Sequence, residues 1–128
     1  MPTPISTSAA PRPGGHYSQA IVHGGVVYVA GQLPVDPSGG RVLAGESAAT
    51  QTERALENLR AVLEAAGSGL DLVLKVTVYV ADVGLWAEIN AACARAFGAH
   101  RPARSVVPTG PLHHGVLVEV DAVAAVRA

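Results

Sequence analysis

The chain has 128 residues, enough for one domain with a modest core and too few for two. Nine basic and ten acidic residues leave a net charge of −1, and the basic residues are scattered, so no basic stripe is present and nucleic-acid binding is disfavoured. At 49% hydrophobic with a mean hydropathy of +0.32 the chain is apolar for a small soluble monomer, yet no apolar run approaches the ~20 residues of a spanning helix. Of the two readings, membrane association or apolar surface buried between subunits, the second is expected. The lone cysteine, Cys93, allows no internal disulfide and fits a reducing compartment, so a cytoplasmic location is expected.

Residues 1–14 are rich in Pro, Ser and Thr with no apolar stretch typical of a signal peptide, and read as a flexible or loosely packed lead into a single domain spanning 1–128. His16 to His23 and Val26 to Ala30 flank Gly24-Gly25, which supplies the positive φ angles of a two-residue hairpin. Gly31 ends the second strand, and Pro34 to Gly40 is a turn-rich loop. From Ser47 to Ala66, Thr52, Ala55, Leu56, Leu59, Val62, Leu63 and Ala66 fall on one helical face, with Gly67 as the stop. Leu72 to Ala81 alternates as a strand. Asp82 then reads as the N-cap of a helix whose stripe runs through Leu85, Trp86, Ile89, Asn90, Cys93 and Phe97 to Gly98. Strands at Arg104–Val107 and Val116–Val126 follow. This order predicts an α+β layer, a mixed β-sheet with two helices packed on one face, and leaves the other face for a partner subunit to cover.

Several residues could carry chemistry. Glu119 shares a strand face with Leu117, Asp121, Val123 and Ala125, so it is either a carboxylate on a wet face or a partly buried one; spacing alone favours the wet face. Arg104 reads as a surface salt-bridge residue or, through its two-pronged guanidinium, as a grip for a small carboxylate. If the two meet, they make a cofactor-free site that holds a carboxylate and moves a proton. Tyr17 reads as a sheet aromatic and Gly31 as a turn glycine. Asn90, on an apolar stripe, either fixes a loop or faces a pocket, because a buried amide needs partners. His113 and His114, as neighbours on an extended chain, should point to opposite faces and are expected as exposed loop histidines rather than metal ligands.

Taken together, these residues have a pattern. Gly15-His16-Tyr17-Ser18-Gln19-Ala20, Val29-Ala30-Gly31-Gln32, Gln51-Thr52, Asn58-Leu59, Ala65-Ala66-Gly67 and Lys75-Val76-Thr77-Val78 resemble the RidA (YjgF) family, as do Asn90, Pro102-Ala103-Arg104-Ser105 and Val118-Glu119-Val120. The resemblance spans nearly the whole chain in order. It implies a chorismate-mutase-like α+β fold, a homotrimer with sites between subunits, and hydrolysis of reactive 2-imino or 2-enamino acids such as 2-aminoacrylate to 2-oxo acids and ammonia. It implies no cofactor and no metal, the imine carbon being electrophilic already. Arg104 would bind the carboxylate of a small substrate and Glu119 would activate water and carry a proton; Tyr17, Ala30, Gly31, Asn90 and Val106 would shape the substrate pocket. A ligand-binding or stress-protective module and an endoribonuclease, as in some relatives, are the alternatives. Four places depart from the common pattern: Ala30 replaces serine, Val106 cysteine and Cys93 tyrosine, and Leu112-His113-His114-Gly115 replaces Leu-Pro-x-Gly.

Overall fold

The computed structural model describes all 128 residues. Eight elements follow in order: β1 (Thr3–Ile5), β2 (Ala20–His23), β3 (Val26–Gln32), α1 (Ala48–Ala65), β4 (Val73–Val80), α2 (Trp86–Phe97), β5 (Ala103–Pro108) and β6 (Val118–Ala125). They build one six-stranded sheet, ordered β1-β2-β3-β6-β4-β5. All neighbours are antiparallel except β4 and β5, which are parallel and joined by α2.

The two-residue period of the strands places the core. Val76, Val78 and Val80 of β4 and Val118 and Val120 of β6 are fully buried on one face, beneath Leu56, Leu59, Val62, Leu63 and Ile89 of the helices. Burying each such side chain contributes about 1.5–3 kcal/mol. α1 carries the expected apolar face and is capped by Ser47, whose hydroxyl accepts from the Thr50 amide at 3.1 Å. Gly67, at φ +78°, ends it. The opposite sheet face has no helix. Tyr28 and Val107 stand on it at 50% and 37% exposure, together with Tyr79, Glu119, Asp121 and Val123.

Some expectations change. Residues 1–14 are not a loose lead: β1 pairs with β2, and the buried amide of Gln19 accepts from the Thr7 amide at 2.7 Å and donates to the carbonyls of Thr7 and Pro11. The first hairpin strand begins at Ala20 rather than His16, because the chain turns at Gly15–Tyr17. β6 begins at Val118 rather than Val116, since the Leu117 amide donates to the buried Gln51 side chain at 2.8 Å. Asp82 caps a short 3₁₀ turn at Val83–Leu85, accepting from the Gly84 amide at 2.8 Å, and α2 follows from Trp86. No helix of the chain is long and apolar enough to cross a membrane.

Candidate functional site

Arg104 lies opposite Val76 in the parallel β4–β5 pair, so its side chain rises on the helix-covered face. There its Nη1 donates to Asn90 Oδ1 at 2.9 Å, and the guanidinium lies 5.7 Å from the ring centre of Trp86. Arg104 joins none of the four ion pairs, which are Arg41–Glu46, Arg60–Glu57, Arg95–Glu53 and Arg127–Asp71. Its charge is therefore held in place by an amide and an aromatic face rather than neutralised. The surrounding cavity, about 550 Å³, is walled by Val76, Cys93 and Phe97 as well as Asn90 and Arg104. Burial pushes the Cys93 thiol up, with the Arg104 charge and a hydrogen bond from it pulling the other way. Val106, two residues on, shares Arg104's face and packs against the core beside Val78.

Glu119 is placed differently. It lies opposite Tyr79 on β4, on the face without helices. On its other side β3 carries a bulge: Val29 pairs with Ala122 and Gln32 with Val120, leaving Ala30 and Gly31 to oppose Asp121. The bulge brings Gly31 against the Glu119 carboxyl so closely that an added Cβ would overlap Oε2 and lie 3.1 Å from Cδ. Only glycine leaves this carboxyl its place. Glu119 is half-buried, and burial holds its carboxyl above the ordinary range; Asp121 pushes the same way and His113 pulls partly back. Asp121 Oδ2 accepts from the Tyr79 hydroxyl at 3.0 Å. Burial, then that hydrogen bond, raises the Tyr79 phenol.

A second cavity, about 350 Å³, opens beside Gly31 and is lined by Arg12, Tyr17, His113 and His114 among others. Tyr17 is 53% exposed, its hydroxyl accepting from the Gly14 amide at 3.0 Å. The two histidines are exposed as expected, but they do not diverge. They sit on a 3₁₀ turn rather than a strand, with His114 at φ +61°, and their rings lie 3.8 Å apart.

The predicted residues thus fall into two groups. Arg104, Asn90 and Val106 lie under the helices; Glu119, Gly31, Ala30 and Tyr17 gather on the other side. Arg104 and Glu119 do not meet within one chain. They project from opposite faces, one strand apart and three positions displaced along it, roughly 14 Å between backbones. Sequence reasoning left out Trp86 as a partner of Arg104, and Tyr79 as a partner of Asp121. The alternation of β4 does place Tyr79 on the non-valine face, a signal that was available.

The family model described as Endoribonuclease L-PSP matches residues 7–126. A RutC family protein of Pyrococcus horikoshii is 45% identical over 120 residues, 94% of each chain. Among solved structures, the YjgF gene product of E. coli superposes with a TM-score of 0.91 at 36% identity, covering 98% of this chain and 99% of that one. E. coli TdcF, solved with bound serine, gives 0.92 at 32% identity over 98% and 99%.

Proposed function

The chain belongs to the endoribonuclease L-PSP family, which takes in the RutC and RidA/YjgF proteins, and from that membership we propose that it hydrolyses small 2-imino and 2-enamino acids to 2-oxo acids and ammonia. The observation that carries this reading is the division of the site. An uncompensated arginine waits in a cavity on one face, and a half-buried carboxyl with a raised proton affinity waits beside a glycine bulge on the other. Each lacks what the other supplies. A second copy that sets its Glu119 face against the Arg104 cavity completes a site, and a closed ring of three copies repeats that heterologous contact with no copy left unpaired. Such a ring also covers the apolar face that carries Tyr28 and Val107.

In the completed site the guanidinium takes the substrate carboxylate in a two-pronged contact, held in orientation by Asn90 and Trp86. An enamine first takes a proton on carbon and gives one up from nitrogen, and so becomes the imine. Glu119, in its ionised form, then accepts a proton from water as the water oxygen bonds to the imine carbon and passes it to nitrogen. It next takes the proton of the new hydroxyl and delivers it to nitrogen as the carbon–nitrogen bond breaks and the oxo group forms. Water and imine are consumed, and oxo acid and ammonia leave. A carboxyl raised above its ordinary range suits both halves of that exchange. The serine held by TdcF supports the substrate class, being a small carboxylate-bearing amino acid.

The test generates 2-aminoacrylate with a pyridoxal-phosphate lyase and follows its loss with and without the protein. Acceleration that Arg104→Ala abolishes is expected. No acceleration, or equal acceleration by the variant, overturns the reading; RNA cleavage that Glu119→Ala abolishes would replace it.

A further inference from the structure

The cavity beside Gly31 contains more hydrogen-bond donors than the reaction above uses. Arg12, His113 and His114 all line it, and no aspartate or glutamate does. Arg12 takes part in no ion pair. Each imidazole offers at least one N–H in either protonation state, and the guanidinium offers five. The histidine pair is built with some strain, since His114 adopts the left-handed region, sparsely used by residues other than glycine. Such conformations persist where the surroundings over-determine them and concentrate at ligand sites. The result is two rings 3.8 Å apart on one wall.

Gly31 belongs to both places: its α-carbon seats the Glu119 carboxyl, and it lines the cavity. A molecule whose reacting carbon lies at Glu119 can therefore send its substituent across Gly31 into this space. A methyl group there leaves the donors of Arg12, His113 and His114 facing water. A carboxylate pairs with them. The volume, about 350 Å³, is at the small end of ligand cavities, roughly 300–1,000 Å³.

We propose that this cavity is a second carboxylate subsite, which gives the enzyme a preference for 2-imino acids bearing an acid group on the side chain, such as those formed by oxidation of aspartate or glutamate. The proposal rests on the deamination reading above. To test it, flavin-dependent amino acid oxidases generate the imines of alanine and of aspartate, and the protein competes with semicarbazide trapping. We expect kcat/KM for the acidic imine to exceed that for the neutral one by about tenfold or more, the scale of one hydrogen bond to a charged group. Arg12→Gln, and His114→Asn, which keeps the left-handed turn, should each cut that preference at least about threefold while neutral-imine hydrolysis is unchanged. Equal rates on the two imines, or a preference that both variants retain, overturns the subsite and leaves the deamination reading standing. If neither imine is accelerated, deamination falls and binding decides the subsite. Thermal stabilisation by succinate but not acetate, lost in Arg12→Gln, upholds it; no such difference overturns it.

Discussion

Gly31→Ala separates position from stability at the candidate site. The added Cβ would overlap Glu119 Oε2 and stand 3.1 Å from Cδ, inside ordinary carbon–carbon contact at about 3.5–4.0 Å. What must yield is the far end of a flexible side chain, so the carboxyl swings aside by on the order of 1 Å while the backbone stays. An off-rotamer adjustment of this kind costs about 0.5–1.5 kcal/mol, a few degrees in Tm for a domain of this size. A misplacement of about 1 Å costs on the order of 100-fold in rate. Loss of 2-aminoacrylate and thermal unfolding are measured on the same preparations. We expect a rate deficit of roughly two orders of magnitude beside a nearly native melting curve. Glu119→Asp within the Gly31→Ala background, one methylene shorter, should recover part of the rate by making room for the new methyl. Activity within about threefold of the parent would refute the reasoning, as would a collapse in Tm of far more than the estimated few degrees, which would make Gly31 a folding residue instead.

The divided site predicts complementation. Arg104→Ala and Glu119→Gln, each inactive, should regain about a quarter of the parent activity when co-refolded in equal amounts, because random assembly joins an intact Arg104 to an intact Glu119 at that frequency; a site within one chain regains none. Light scattering on the parent should give a mass above the monomer, and a monomer refutes the shared site. Glu119 should also destabilise the fold in its charged form. Its folded pKa lies above 4.5, so the native chain holds that proton more tightly than the unfolded one, and its contribution to stability falls as pH rises from about 4.5 through the raised value. Urea midpoints of parent minus Glu119→Gln should decline across that window, whereas a flat difference would show an unperturbed carboxyl. Finally, Gln51→Leu leaves the carbonyls of Ala44 and Glu46 and the Leu117 amide without their partner, and should cost roughly 1–3 kcal/mol by denaturant unfolding; a neutral result would mean water replaces the amide.

Local signals in the sequence carried most of the architecture. Gly24-Gly25 announced the hairpin, and the seven positions expected on the first helical face are all buried, though Ala48, Gln51 and Asn58 are buried with them. β1 was not legible, because three residues have no period and the force holding the segment comes from the amide of Gln19, distant in the chain. The bulge at Ala30–Gly31 was hidden for the opposite reason: alternation assumes an unbroken period of two, and one extra residue interrupts it. Arg104 and Glu119 could be chosen as candidates from the family pattern, but their opposed faces could not be read. Parity orders side chains within a strand, while the relation between strands depends on register.

The bulge also decouples two properties that enzymes often find hard to change separately. The location of the acid is set by a backbone detour and by the absence of a side chain at one position. The form and charge of the neighbouring cavity are set by other residues, Arg12, Tyr17 and the His113-His114 turn, none of which supports the Glu119 carboxyl through a hydrogen bond. The wall of the cavity, the His113-His114 turn included, can therefore change without disturbing the seat of the Glu119 carboxyl. On the proposed reading, what the site accepts and where its acid stands are then set by separate residues.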